Sequence, residues 1–480
     1  MINQLHNTEG FLSLKRSERQ AEEGQLNLYS GRSINLEGKL FSRYPLEATI
    51  TTQKLSSHSG LHHSLAAVSA LENYLQIEPT PTGQLIRRVI SELGTIDSHI
   101  HHFYLELLPD FFSPDFIKKN LGTLSIYCDL PDVKTEKSDS FLTDEDSSDL
   151  LSHFEDMSLC LNSLHKTLGL LCGKYPGIMN QIPGGISNQN INEHLIMSVL
   201  RELETCKDFI ENVWPEDVKK LISHFPKMTT VFDGGQGMIC FGSIAVTGSN
   251  APAYSEGVYI DKKLEPLNNL KITESLLNTY YKEASSPQQN QVYDLNKAGA
   301  RTWIKAARYE SIPMQTGPLA RLLVTHYGGG NAEISDAVSN LITELNYETD
   351  QVNSEATRLF AEAIEGRFYM RNIFTNLLSL DFKIQPNQAT KFDFSRRGTG
   401  LGRVEAPAGS LLHQVYIDQN KIMNYRIISP QNWNLSTSDE FGKSGIVEDE
   451  LNAKDAKNLS AIAASRILHS YYAYGLDASQ

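Results

Sequence analysis

The chain has 480 residues, 40% of them hydrophobic and 21% charged, with a formal net charge of −14. Such a composition belongs to a globular protein with a large core, and no apolar run approaches the roughly 18 to 20 residues that span a bilayer. The acidic balance disfavours nonspecific attraction to nucleic acid and to anionic lipid, so neither is expected as a partner.

Residues 1–30 read as a polar N-terminal segment. Met1 to Gly24 lacks the apolar centre of a secretory signal, and a cytoplasmic location is expected, at most peripheral to a membrane complex. Residues 31–480 read as one continuous domain, because neither an internal repeat nor a long Gly/Ser linker divides them. Leu61, Leu65, Val68, Leu71 and Leu75 recur at spacings of three and four, which predicts a helix that Pro79 and Pro81 terminate. Leu85, Ile86, Val89, Ile90, Leu93, Ile96, Ile100 and Phe103 predict a second long helix over 83–108, antiparallel to the first. Residues 129–149 carry dense Asp, Glu and Ser and read as an acidic surface loop. Further helical patterns cover 150–171, 191–213 and 332–360. Alternation of Leu412, Val415, Ile417, Ile422, Tyr425 and Ile427 about Asp418-Gln419-Asn420 predicts a hairpin within 404–428. The fold class is α+β, predominantly α-helical, with a helical-bundle core and small antiparallel sheets.

Little in the chain announces independent chemistry. Cys128, Cys160, Cys172, Cys206 and Cys240 are far apart with no C-x-x-C, which argues against a zinc knuckle or iron-sulfur cluster and for buried reduced thiols. His58 with His62, and His99 with His102, have helical spacings that let two imidazoles share a face. Neither pair has a carboxylate or thiol at matching spacing, so both read as structural. Gly328-Gly329-Gly330 and Asp233-Gly234-Gly235-Gln236-Gly237 lack the phosphate-loop form and read as turns. A Ser-His-Asp or Cys-His arrangement does not follow from residue order.

Several segments, in order, resemble the [NiFe] hydrogenase large-subunit family. Ile34-Asn35-Leu36-Glu37-Gly38-Lys39-Leu40 looks like that family's R-I-E-G-H-L opening. His63 to Glu72 is similar to the helix after its first cysteine pair, and His99 with His102-Phe103-Tyr104 to its following histidine-rich stretch. Pro183-Gly184-Gly185, Lys305-Ala306-Ala307-Arg308-Tyr309 and Thr316-Gly317-Pro318-Leu319-Ala320-Arg321 also match. So do Val404 to His413, Asn424-Tyr425 to Asn434, and His469-Ser470.

The resemblance implies a large-subunit fold over about residues 30–480, and its register exposes departures. The family's four metal-binding cysteines fall on Ser56, Ser59, Tyr474 and Asp477. Hydroxyl and phenol groups are hard donors, poorly suited to the nickel and iron that thiolates hold. Positions around the family's metals are changed too: its arginine falls on Ala408, its two nearby aspartates on Ser98 and Tyr472, and its terminal magnesium-binding histidine on Gln480. Glu37 matches the glutamate implicated in proton movement and reads here as a structural hydrogen-bond acceptor.

The expectation is therefore a degenerate, HupK/HoxV-like member with no cofactor and no nickel-iron centre. It would serve as an assembly or maturation scaffold, with hydrogenase maturation proteins or an iron-sulfur small subunit as partners. The alternative is a structural subunit of a hydrogenase-like or quinone-linked complex. A hydrogenase active through non-cysteine ligands is the remote third reading. Tyr471, Tyr472 and Tyr474 are expected to fill the former metal pocket.

Overall fold

The computed structural model describes residues 3–7, 10–16, 26–30, 35–56, 58–127, 141–187, 190–232, 237–245, 253–282, 292–348, 352–388, 391–453 and 459–472. Its centre is built from two long helices and a three-stranded sheet. The apolar stripe after Ser59 forms the helix Gly60–Leu75, which ends where Gln76 turns left-handed at φ 55°. The next stripe forms Pro81–His101, started by Thr80 capping Gly83 N and by proline in the first turn.

These helices touch each other little, contrary to the expected antiparallel pair. Gly60–Leu75 lies on the strand Gly398–Ala406, while Pro81–His101 packs on Glu355–Leu378 and Phe154–Cys172. The reason is a local stripe of small residues. A Cβ at Gly400 would stand 2.0 Å from the Ala70 carbonyl oxygen and one at Gly402 2.1 Å from that of Ala66, so strand and helix backbones approach as only glycine allows.

The predicted hairpin is present and larger than expected. Gly398–Ala406, Gly409–Asp418 and Lys421–Ile428 form one antiparallel sheet in sequence order. Gln419 and Asn420 both take positive φ, 48° and 61°, as a two-residue hairpin turn requires. The described residues also hold a sheet of Gly237–Phe241, Glu256–Ile260 and Lys263–Glu265 and a pair of Ile272–Ser275 with Ala306–Tyr309. Their strands are too short for periodicity to reveal.

Three predicted helices are divided. Residues 150–171 fall in Asp144–Ser152 and Phe154–Cys172, which meet at His153. Residues 191–213 become Glu193–Glu204 and a π-helical turn at Phe209–Val213. Residues 332–360 become Ala332–Glu344 and Glu355–Leu378, the second opened by a Ser354–Thr357 capping box.

The expected acidic loop is likewise only partly a loop. Residues 128–140 lie outside the described residues, but Asp144, Glu145 and Asp146 form the first turn of Asp144–Ser152, behind the Thr143 cap. Carboxylates there face the positive end of the helix dipole. Within the segment read as polar, Asn3–Asn7, Gly10–Arg16 and Leu26–Ser30 form an antiparallel sheet. Leu28 is buried, and its N–H donates to Glu448 at 2.8 Å. The glycine triplet expected as a turn is a helix end: Gly328 is the last residue of Pro318–Gly328 and Gly329, with φ 64°, caps it; residues 233–236 lie outside the described residues.

Candidate functional site

The loop after the short turn Thr52–Leu55 delivers Ser56 and Ser59 to the interior, both buried. Ser56 Oγ accepts from His58 N at 3.2 Å and Ser59 N at 3.0 Å. The Ser59 carbonyl accepts from His62 N and His63 N as Gly60–Leu75 begins. Buried Ser98, on the facing helix Pro81–His101, donates from Oγ to the His58 carbonyl at 3.0 Å and ties that helix to the loop.

Beyond Ser98 runs a buried polar chain. His99 Nε2 stands 2.9 Å from Glu365 Oε2, and its Nδ1 meets the Tyr472 hydroxyl. Facing a carboxylate, Nε2 is the donor of that contact. Arg321 grips Glu365 with two bonds of 2.7 Å and reaches Glu405 Oε2 at 3.0 Å, the Ala406 carbonyl at 2.8 Å and the Pro407 carbonyl at 3.0 Å. Buried Ala408 follows in the same tight turn, which rests against Gly317.

The electrostatics separate the two carboxylates that share this arginine. Burial raises the Glu365 pKa, but the bidentate guanidinium outweighs it and holds the group down at about 2. Glu405 is raised: burial is the larger cause, and its single Arg321 contact does not offset it. His102 has an acceptor at each ring nitrogen, Glu362 Oε2 at 3.0 Å from Nδ1 and the His469 carbonyl at 2.8 Å from Nε2. Burial opposes its charge, yet Glu362 prevails and the pKa rises, in keeping with an imidazolium that donates twice.

Tyr472 lies over His102 with ring centroids 4.1 Å apart and an interplanar angle of 17°. It does so with φ 57°, a conformation uncommon for a bulky residue and held by its partners. Nearby, Arg358 binds Glu450, the Tyr471 hydroxyl and Ser470 Oγ, fixing the last described turn. Tyr472 thus occupies interior space beside His99 and His102, whereas the buried Tyr471 ring packs against Arg358. Tyr474, Asp477 and Gln480 lie outside the described residues.

Glu37 sits apart, buried at the start of the turn Leu36–Lys39. Its carboxylate receives Lys305 Nζ at 2.9 and 3.0 Å and Ile427 N at 2.7 Å. Lys305 also approaches Glu274, which Arg426 holds at 2.5 Å.

The structure thus joins Ser56, Ser59, Ser98, Tyr472 and the Ala408 turn through His58, His99, Glu365 and Arg321. The histidine pairs chosen by spacing do not act as pairs. His62 faces the Ser91 carbonyl at 3.2 Å, whereas His58 Nε2 stands 3.0 Å from Glu106 Oε1. His99 and His102 bind different glutamates. Sequence reasoning missed Glu362, Glu365 and Glu106. The available signal for the first two was a pair of carboxylates three apart amid Ala361, Ala363 and Phe368, on a helix face that buries both.

The fold these elements define is that of a hydrogenase large subunit. The Ni-Fe-Se hydrogenase of Desulfovibrio vulgaris Hildenborough in the reduced state superposes with a TM-score of 0.82 at 24% identity, covering 98% of this chain and 97% of that chain. A reduced, active Ni-Fe-Se hydrogenase from Desulfomicrobium baculatum gives 0.83 at 22% identity, with 98% of each chain covered. By sequence, the periplasmic [NiFeSe] hydrogenase large subunit of Desulfomicrobium baculatum is 25% identical over 496 residues, 98% of this chain and 92% of that protein. The hydrogenase-2 large chain of Escherichia coli K12 is 22% identical over 463 residues, 82% of this chain and 81% of that protein.

The family model for nickel-dependent hydrogenase matches residues 35–117 and 137–472, and the chain belongs to that family. This corrects the expectation of no cofactor: the family is nickel-dependent and the relatives are named nickel-iron or nickel-iron-selenium hydrogenases, so membership points to a nickel-iron centre. The described donors nearest Ser56 and Ser59 are hydroxyl, imidazole and carboxylate groups. The free thiols Cys160, Cys172, Cys206 and Cys240 are buried in other elements. That hard and borderline donor set does not fit a centre held by soft thiolates. Among the described residues, no helix is long and apolar enough to cross a membrane.

Proposed function

We propose that this hydrogenase-family chain acts as a noncatalytic large-subunit paralogue, a scaffold or accessory protein in hydrogenase assembly. The observation that carries the reading is Tyr472, bonded to His99 and stacked on His102, where the register places one of the family's aspartates. Ser98 stands at the other such position and holds the Ser56–Ser59 loop through the His58 carbonyl. At Ala408 the family's arginine is replaced by a methyl group in a tight turn. Side chains here serve packing and loop anchoring, with Glu37 as a salt-bridged acceptor for Lys305 and Ile427 N. A scaffold needs the large-subunit shape for docking, and that shape is retained.

Maturation proteins are the partners in this reading, and the cytoplasm is its compartment, in keeping with free buried thiols. Purification of the tagged chain from its native cell, followed by identification of bound proteins, tests it. Maturation proteins held transiently support the scaffold. A stoichiometric iron-sulfur small subunit would instead make the chain a member of an electron-transfer complex. Hydrogen-dependent dye reduction by the purified protein would overturn both noncatalytic roles.

A further inference from the structure

The π-helical turn His102–Leu107 interrupts the run from Pro81–His101 and changes which side chains are neighbours. In an uninterrupted α-helix, residues five apart point roughly 140° away from each other. The i→i+5 pairing of a π turn brings them onto one face. His101 and Glu106 are five apart, and His101 Nδ1 stands 3.4 Å from Glu106 Oε1. From the opposite side the loop at Ser56 presents His58, whose Nε2 is 3.0 Å from the same oxygen, while Ser98 holds the His58 backbone in place.

We propose that His58, His101 and Glu106 form a binding site for one divalent first-row transition ion of borderline softness. One donor atom from each residue lies within 4.8 Å of the other two. Around an ion with bonds of about 2.1 Å, neighbouring donors are about 3.0 Å apart in octahedral and about 3.4 Å in tetrahedral geometry. The His58 contact to Glu106, 3.0 Å, equals the first of these and the His101 contact, 3.4 Å, the second, while the two imidazoles stand with ring centroids 4.8 Å apart.

A second observation points to a ligand: Glu106 is buried, with a relative exposure of 7%, and its Oε1 stands close to both imidazoles without hydrogen-bond geometry to either. His101 Nδ1, aimed at the same point, makes no hydrogen bond. A desolvated carboxylate oxygen and imidazole nitrogens that converge on one point are lone-pair donors that a cation can bridge in place of a shared proton. Two imidazoles and one carboxylate select a borderline transition ion over calcium or magnesium, which prefer all-oxygen sites. The side chain of His101 is 40% exposed, which opens the site to solvent and leaves further positions on the ion for water. This inference does not depend on the assembly role.

The test uses the full chain, stripped with a chelator and titrated with Zn²⁺ against a chromophoric competitor. Co²⁺ is added separately to read visible ligand-field bands. One equivalent is expected, bound at least about 10-fold more weakly by His101→Ala and by Glu106→Gln. Partly exposed His101 can be replaced without opening the core, and matching circular dichroism spectra establish that the variant folds. Exposed His194→Ala serves as the control and should bind as the parent does. Less than one equivalent in the parent, undiminished binding in folded His101→Ala, or equal weakening in His194→Ala would overturn the site.

Discussion

His62 is fully buried in Gly60–Leu75, facing the Ser91 carbonyl and the Thr95 hydroxyl. Burial is the leading reason its pKa falls from 6.5 to about 3, and the charges of Arg321, His63 and His99 add to it. The unfolded chain therefore binds a proton at this residue below about pH 6.5 that the folded chain refuses until about pH 3. Its contribution to stability is complete above the upper value and is lost as pH falls through that window, by at most about 1.4 kcal/mol per pH unit. Urea unfolding between pH 7 and 5 should show a shallower pH slope in His62→Gln than in the parent. An identical slope would mean the imidazole is protonated in place.

Glu365 sets a second test at the same scale. It neutralises Arg321 and orients His99, and all three side chains are fully buried. A buried ion pair contributes little net stability, but removing one partner leaves the other charge uncompensated, at about 3 to 5 kcal/mol. Glu365→Gln keeps the size and removes the charge, so thermal unfolding should show a loss of that order. Glu405, the remaining carboxylate on Arg321, limits the loss.

At the scale of elements, the decisive contact is the backbone approach of Gly60–Leu75 to Gly398–Ala406. A methyl group at Gly402 meets the Ala66 carbonyl and the Ala70 backbone, rigid atoms that cannot step aside. Gly402→Ala should cost about 1 to 3 kcal/mol by overpacking. In Leu121–Tyr127, Gly122 has nothing within 4 Å of the added carbon. Gly122→Ala should raise stability by up to about 1 kcal/mol through helix propensity. Opposite shifts in denaturant midpoint from one chemical change would separate close approach from intrinsic glycine cost.

For the molecule as a whole, the C-terminal helix Ala461–His469 and the turn after it close the interior. Arg358, on Glu355–Leu378, binds Glu450, Ser470 and Tyr471 together, with its guanidinium 3.9 Å from the Tyr471 ring centroid. Arg358→Met should release this closure first. Hydrogen exchange is expected to rise over 461–472 while Gly60–Leu75 and Pro81–His101 keep their protection. A uniform rise across the chain would show that the C-terminal contacts belong to one cooperative unit with the centre.

The family and the long elements were legible in the sequence because they are written locally. Apolar residues at helical spacing foretold Gly60–Leu75 and Pro81–His101, and Asp418-Gln419-Asn420 foretold the hairpin turn. The ordered motifs identified Glu37, Ser56, Ser59, Ser98, Ala408 and Tyr472 as positions of interest. The expectation of no nickel-iron centre, drawn from substituted positions alone, went beyond what those positions support against the family evidence.

What only the tertiary structure decided is who meets whom. Helix periodicity fixes a face but not its neighbour, so the glycines of a strand more than 300 residues away claimed the face of Gly60–Leu75. Spacing rules for histidine assume an α-helix, so they offered His58 with His62 and His99 with His102. The π turn and the Ser98 bond instead assembled His58 with His101 and Glu106. Charge pairs such as Arg321–Glu365 and Arg358–Glu450 depend on geometry formed after the chain has closed on itself, which no local pattern of residues encodes.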